Sequence, residues 1–364
     1  MASNIKNIGG WSTKRKLIVF ESDDWGSNRI SSKASYEKLV AQGIIRPSNH
    51  YDKFDTLEKS GDIENLLEVL SSFKDNMGNH PVFTPFFNTA NPDFEKIRQS
   101  EYNVYHYKSF WETLDKYGEK DRVMQLWKAG ISNHLVTPAF HGREHLCVPL
   151  WMRYLGLGHE KIRKAFEHQF YSVSIKGLPL FASAFRPALF FDDNAQIDFL
   201  KQSLTDGLNQ MKFIFGETLK VFCPPNGISH PLFDEEVAKG GVLAVVTKRF
   251  RPEPNGLGAV RKKHYGFGSK NKFGQIHYFR NCGFEPVSKR GVDICLKDIA
   301  AAFRWGKPAI ISTHRVNYIG SIDPKNSEYG LTEFRKLLHQ ILKKWPQAEF
   351  VSSNQLCDLL HNKV

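Results

Sequence analysis

Cysteine is scarce in this chain, and its few copies are not arranged as pairs. The 364 residues include five cysteines, and no two of them have a Cys-x-x-Cys spacing. They are Cys147, Cys223, Cys282, Cys295 and Cys357. Five cysteines cannot all form disulfides, and this usage favours a reducing compartment. We therefore expect a cytoplasmic protein.

Long apolar runs and glycine-rich nucleotide loops are also missing. The longest early apolar run is Leu17 to Phe20, and no segment is long enough to cross a bilayer. No Walker-type or dinucleotide-binding loop is present, so nothing supports the use of ATP or NAD. No linker divides the chain, which predicts an N-terminal lead-in over residues 1–13 and a single domain over residues 14–364.

Acidic residues are too few to balance the basic ones. The chain has 50 Lys and Arg against 38 Asp and Glu, a formal net charge of +12. This excess favours an acidic partner, such as an acidic or phosphate-linked carbohydrate. The densest basic stretch, residues 261–272, includes Tyr265 and Phe267. We interpret it as a solvated loop between strands, with a role beside an anionic substrate as the alternative, and we expect no nucleic-acid partner.

Strand-like and helix-like segments alternate along the chain. Predicted strands cover 16–22, 82–87, 135–140, 180–185, 220–223, 242–248, 275–280, 308–313 and 349–352. Predicted helices include 31–42, 121–129, 197–215, 292–305, 331–345 and 354–360, and Asp62 is a good N-cap for another helix that reaches Phe73. The alternation predicts parallel βα units, whose active sites gather at the carboxyl ends of the strands.

Chemically capable side chains follow several of these strands. Asp23 and Asp24 come directly after the first one, and His141 and His145 follow the run that ends at Phe140. Two like charges side by side are costly unless a cation or a proton lies between them. Asp24, His141 and His145 together offer one carboxylate and two imidazoles, a ligand set that suits zinc or a similar divalent ion.

The order of these motifs resembles the polysaccharide deacetylases with a NodB homology domain, which are metal-dependent sugar N-deacetylases. The Asp-Asp motif is matched at Ser22 to Gly26, and His-x-x-x-His at His141 to His145. The third motif, Arg-x-Pro, is matched in part at 222–225, and the final strand that ends in histidine at His314. The resemblance spans roughly residues 14 to 360.

The resemblance implies an α/β fold, a distorted parallel (β/α) barrel of seven or eight strands. It also implies removal of an acetyl group from an N-acetylated sugar of a polysaccharide or its precursor. Asp24, His141 and His145 would hold a divalent metal, foremost Zn²⁺, with Co²⁺, Mn²⁺, Ni²⁺ and Fe²⁺ as alternatives. Asp23 would be the general base, or else orient a metal ligand, and His314 would protonate the leaving amine.

Some positions depart from the family pattern. Cys223 stands where the third motif has an arginine, and the family's Asp-x-x-Asp-Trp motif has no clear match. Four arginines could supply the missing positive charge: Arg143, Arg186, Arg280 and Arg315. Phe185-Arg186-Pro187 is an alternative match to the third motif. The candidate substrate contacts are Trp25, Arg143, Glu144, Pro224, Asn226 and Arg186, although Trp25 fits packing beneath the barrel mouth equally well.

Three other functions stay open at this point. Two histidines and a carboxylate also define non-haem iron oxygenases, whose fold should read as alternating β-hairpins. The same scaffold could hydrolyse another amide or a ring imide. The missing arginine could instead mark a catalytically weak carbohydrate-binding relative.

Overall fold

A parallel sheet is built around the strand that carries the two aspartates. In the computed structural model, which describes residues 6–216 and 219–362, apolar β-forming runs make the strands and amphipathic segments make the helices. The strands are β1 (Lys16–Trp25), β2 (Phe83–Phe87), β3 (Ala90–Pro92), β4 (Tyr107–Ser109), β5 (Ala139–Phe140), β6 (Val221–Phe222), β7 (Ala244–Val246), β8 (Phe250–Pro254), β9 (Val260–His264), β10 (Ser269–Lys270), β11 (Ile276–Tyr278), β12 (Cys282–Gly283), β13 (Ala309–His314) and β14 (Ala348–Phe350).

Helices connect most of these strands. They are α1 (Lys33–Ala41), α2 (His50–Phe54), α3 (Ser60–Ser71), α4 (Phe94–Gln99), α5 (Phe110–Lys116), α6 (Lys120–Ser132), α7 (Val148–Gly156), α8 (Glu160–Glu167), α9 (Ile197–Phe215), α10 (Asp234–Lys239), α11 (Val292–Arg304), α12 (Pro324–Lys344) and α13 (Ser353–Asn362). In the part of the chain that the structure describes, none of them is long and apolar enough to cross a bilayer.

The segment 276–283 joins the two ends of the main sheet. The sheet runs β11-β7-β6-β5-β2-β1-β13-β12 with every neighbour parallel, while β14 pairs with the start of β1 and β10 adds antiparallel to β11. β11 pairs with β7, and four residues later β12 pairs with β13. One continuous segment therefore contacts both ends, which curls the sheet into a barrel. The predicted distorted parallel barrel of seven or eight strands is confirmed.

Alternation along β1 separates the barrel interior from the surrounding helix layer. Ile18 and Phe20 face outward and pack with residues of α3, α6 and α12. Leu17 and Val19 face inward, in a cluster to which α13 also contributes side chains. Because successive side chains of a strand point to opposite faces, Asp23 lies on the interior face at the carboxyl end of β1.

Two predicted segments differ from the structure. Residues 180–185 form a 3₁₀ helix instead of a strand, and Ala184 and Phe185 have positive φ values of 54° and 58°, which a strand excludes. The basic stretch 261–272 is not a loop, since it contains most of β9 and all of β10.

The predicted lead-in is attached to the barrel where the structure describes it. Residues 1–5 of that lead-in lie outside the described residues. The Trp11 N–H donates to the Phe267 carbonyl at 3.0 Å, and the Thr13 N–H donates to the Gly306 carbonyl at 2.7 Å. These backbone bonds fix the entry of the chain into β1, so this part is not a loose extension.

Candidate active site

A turn in the backbone brings both neighbouring aspartates to the same cavity. Strict alternation would place Asp24 on the outer face, but its φ is 75°, and the pairing of β1 with β2 shifts register between Ser22 and Trp25. Gly26 continues this turn, and a Cβ there would lie only 2.2 Å from the Asn88 carbonyl oxygen. The Asp-Asp-Trp-Gly motif therefore forms a strained bend that directs both carboxylates into the same cavity.

Asp24 and the two histidines form a group that fits a metal ion. Asp24 Oδ1 lies 3.5 Å from His141 Nε2 and 3.3 Å from His145 Nε2. Donor atoms about 2.1 Å from a tetrahedral ion are about 3.4 Å from one another. The same Oδ1 is buried and accepts no hydrogen bond from the described residues, as expected of an atom reserved for a cation.

The hydrogen bonds of this group also suit a metal ligand set. His141 Nδ1–H donates to the Cys223 carbonyl at 2.6 Å, so Nε2 is the nitrogen that faces Asp24. Burial alone would lower the pKa of His141, but the carboxylates of Asp23 and Asp24 raise it well above its usual range, so a bound metal ion would displace a proton from Nε2. Burial, against the opposing charge of Asp24, lowers the pKa of His145 to about 3, so this imidazole is neutral. Burial favours the protonated form of Asp24, but His145 and His141 hold its pKa well below the usual range.

A second grouping of Asp23, His141 and Cys223 has the spacing of a metal site but a less suitable chemistry. Both carboxylate oxygens of Asp23 are already held by an arginine. Burial raises the pKa of the Cys223 thiol, which disfavours the thiolate that a metal requires. The group of Asp24, His141 and His145 therefore fits a metal ion better than this second grouping.

Arg280 supplies the charge that the third motif lacks. Its Nη1 and Nη2 donate to the two oxygens of Asp23 at 2.6 and 2.7 Å, and its Nε donates to Glu21 Oε2 at 2.6 Å. Burial alone would raise the pKa of Asp23, but the guanidinium and nearby histidines lower it to about 2. Asp23 is thus an oriented carboxylate at neutral pH.

The other three candidate arginines do not contact Asp23. Arg315 is buried between Asp55 and Glu58, where it ties the loop after α2 to the end of β13. Arg143 pairs with Glu144 at 2.7 Å and with Asp206 at 3.0 Å, behind the histidine loop. Arg186 reaches the cavity.

His314 is paired with an acid that sequence reasoning missed. Its Nδ1–H donates to Glu285 Oε1 at 2.5 Å, and its Nε2 lies 3.8 Å from Asp23 Oδ2. Burial alone would lower the pKa of His314, but the Glu285 carboxylate raises it to about 9. Asn317 donates to the second Glu285 oxygen at 2.6 Å and fixes its orientation. His314 is therefore an imidazolium at neutral pH.

Replacing Glu285 by glutamine should change the pH dependence of turnover. With the carboxylate gone, burial dominates and the pKa of His314 falls, so the required imidazolium is lost at a lower pH. We expect the alkaline fall of kcat, near pH 9 in the wild type, to move down by roughly one to two pH units. Glu328→Gln, on the exposed side of α12, is the matched control. If the alkaline fall of kcat is unchanged in Glu285→Gln, His314 is not the general acid.

A cavity of about 730 Å³ joins these groups at the carboxyl ends of the strands. Its walls include Asp23, Asp24, His141, His145, Arg280 and His314. The predicted substrate contacts Pro224, Asn226 and Arg186 also lie in the wall. Arg29 and Tyr51, which no sequence motif singled out, complete it near Asp24 and His314.

Three predicted substrate contacts do not reach this cavity, which corrects their assignment. The Trp25 indole is fully buried, lies edge-on to Trp127 at 5.1 Å and donates to the Ser22 hydroxyl, so the packing interpretation is right. Arg143 and Glu144 are buried and bind each other. They support the loop that carries both histidines.

No protein-family model and no curated protein matches the chain. Solved structures do show a similar fold. A putative polysaccharide deacetylase from Mycobacterium smegmatis is 11% identical, with 97% of this chain and 93% of that chain covered and a TM-score of 0.45. A family 4 carbohydrate esterase from Streptomyces lividans is 12% identical, with 92% and 90% covered and a TM-score of 0.37.

The peptidoglycan deacetylase PdaC from Bacillus subtilis is 8% identical, with 96% and 93% covered and a TM-score of 0.39.

Proposed function

We propose that this protein is a metal-dependent hydrolase that removes the acetyl group from an N-acetylated sugar of a polysaccharide or its precursor. One observation carries the proposal. A metal-ready group of Asp24, His141 and His145 shares a cavity with an ionised carboxylate, Asp23, and a protonated histidine, His314. Hydrolysis of an amide needs a base for water and an acid for the amine.

Asp24, His141 and His145 would hold the ion, and Zn²⁺ suits two imidazoles and one carboxylate best. Co²⁺, Mn²⁺, Ni²⁺ and Fe²⁺ are alternatives for the same donors. A bound divalent ion would polarise the acetyl carbonyl and lower the pKa of a water.

Asp23 and His314 would divide the proton transfers. Asp23 accepts a proton from the attacking water, and the Arg280 fork fixes the direction in which its oxygens point. His314 holds a proton on Nε2, which it donates to the nitrogen of the departing amine while Glu285 retains the proton on Nδ1. The products are a free amino sugar and acetate.

The alternatives lose ground on specific observations. The parallel barrel differs from the alternating hairpins expected of a non-haem iron oxygenase. Arg280 replaces the missing motif arginine, which removes the reason to expect a catalytically weak relative. The substrate test below distinguishes sugar deacetylation from hydrolysis of another amide or an imide by the same groups.

The single domain over 14–364 and a cytoplasmic location stay predictions.

Acetate release tests the proposal. Purified protein is loaded with Zn²⁺, freed of excess metal, and incubated with acetamido-sugar oligomers, simple N-alkyl acetamides and a cyclic imide. We expect acetate from the sugars at rates well above those from the other amides. Hydrolysis confined to the imide or the N-alkyl acetamides would contradict the choice of substrate.

A further inference from the structure

A strongly basic hairpin stands beside the cavity, and the proposed reaction does not use it. We define the basic hairpin as β8, β9 and their turn, residues 250–264, paired from Phe250 opposite His264 to Pro254 opposite Val260. Arg261, Lys262 and Lys263 are consecutive and exposed on β9. From residue 248 to residue 272 the sequence has eight Lys and Arg and a single acidic residue, Glu253.

The exposed cations of the basic hairpin differ from several other surface cations. Some exposed arginines elsewhere have carboxylate partners, as in Arg122–Glu64, Arg98–Glu167 and Arg335–Glu68. Arg261, Lys262 and Lys263 form no ion pair with any residue that the structure describes. Glu253 is buried and already binds Arg251 and Tyr265. These exposed cations are therefore available to an anionic partner from outside the chain.

The basic hairpin begins at the mouth of the active-site cavity. Lys248, Arg249 and Phe250 line the cavity wall, and Phe250 packs on His264 with ring centroids 5.3 Å apart. The cations at 261–263 therefore continue outward from the wall along β9. From His264 beside the wall to Arg261, β9 rises by three residues, about 10 Å, which is about the length of two sugar rings.

Two other anionic partners fit this surface less well. Tyr265 and Phe267 are 9% and 4% exposed, so these aromatic rings are unavailable for stacking on the bases of a nucleic acid. The exposed apolar side chains of the hairpin, Leu257 at its turn and Phe250 at its base, lie at opposite ends. They form no continuous apolar face for insertion into a membrane.

We propose that the basic hairpin binds an anionic polysaccharide chain, with carboxylate- or phosphate-bearing sugars along β9 and an acetamido sugar in the cavity. This inference rests on the proposed function for the sugar at the reacting end. It adds the substrate class, a polyanion, and the residues that select it, Arg261, Lys262 and Lys263.

Binding and hydrolysis are measured separately to test it. One labelled oligosaccharide alternates N-acetylglucosamine with glucuronic acid, and a neutral one of equal length contains only N-acetylglucosamine. Binding is measured on a variant with Asp23→Asn, in which turnover is slowed, and hydrolysis is measured on the protein with Asp23 intact. The triple variant Arg261→Gln, Lys262→Gln, Lys263→Gln is compared with Lys116→Gln, Lys128→Gln, Lys297→Gln, which removes the same charge from exposed helix positions.

At low ionic strength we expect the uronate oligosaccharide to bind roughly tenfold more tightly than the neutral one. The hairpin variant should lose most of that preference, both in Kd and in the ratio of kcat/KM values, and the control triple should retain it. Salt near 0.2 M should weaken the preference because exposed charges are screened.

Equal affinity for the two oligosaccharides, or an equal loss in both triple variants, would overturn the inference, and acetate release from the neutral oligomer would show that the proposed function survives. Tighter binding to anionic vesicles or to single-stranded RNA than to the uronate oligosaccharide would also overturn it. Hairpin-dependent binding without acetate release from either oligosaccharide would support the binding site and contradict the proposed reaction.

Discussion

Asp23→Asn should lower kcat by about 10²–10⁴-fold while the protein keeps its metal. The substitution preserves the shape of the side chain but removes the charge that accepts the proton from water. Because Asp24, His141 and His145 are unchanged, the metal group stays complete. Steady-state acetate release and elemental analysis of the same sample check both halves of the prediction.

Asp115→Asn, on the exposed surface of α5, is the matched control and should have wild-type turnover. The alternative role for Asp23 is to orient a ligand. In that case Asp23→Asn would lose metal as well as activity, and added Zn²⁺ would restore part of the rate. Loss of metal from this variant would therefore contradict its assignment as the general base.

Arg280→Met should destabilise the fold by about 3–5 kcal/mol, because it leaves two buried carboxylates without their cation. Arg280 binds Glu21, which is fully buried, and Asp23, which is 7% exposed. Methionine is similar in length to arginine, so the lost stability reflects the missing charge more than a missing volume. Urea unfolding of the metal-free proteins measures the change in the free energy of unfolding.

Glu21→Gln in the Arg280→Met background should recover part of this loss, since it removes one of the two uncompensated charges. Arg46→Met, at an exposed position, should unfold like the wild type. Equal stability of Arg280→Met and the wild type would mean that the buried carboxylates gain no net stabilisation from Arg280. That result would contradict the conclusion that Arg280 holds the pKa of Asp23 low.

The sequence was sufficient for the parts of the site that lie in local motifs. Asp23 and Asp24 follow a compact strand, and His141, His145 and His314 follow two others, so parallel packing places them at the same edge of the sheet. The helix 197–215 was also predicted correctly, because its apolar residues recur at helical spacing. These features depend on neighbouring residues, which one sequence displays directly.

The parts that failed depend on contacts between distant segments. Arg280 was one of four equal candidates, and only the exchange of partners from β7 to β13 over residues 276–283 turns it toward Asp23. Glu285 lies just beyond β12, in a region with no strong strand or helix pattern, and it reaches His314 because β12 pairs with β13. Neither placement has a local signal.

Two errors arose from patterns that fit more than one structure. An apolar run of six residues fits a strand or a short helix equally well. Within residues 180–185, backbone φ values near 55° exclude a strand. Trp25 fitted a sugar subsite or the core. The bend at Asp24 redirects the chain, and the Trp25 indole consequently packs on Trp127 beneath the cavity.

Metal content tests the central claim most directly. The wild type, Asp24→Ala and His141→Ala are purified side by side, supplied with Zn²⁺, freed of excess ion and measured by elemental analysis. We predict about one equivalent of metal in the wild type and its loss from both variants, as three ligands around one ion require. A wild type that retains no divalent metal after this treatment, or an Asp24→Ala variant that binds it fully, would contradict the account.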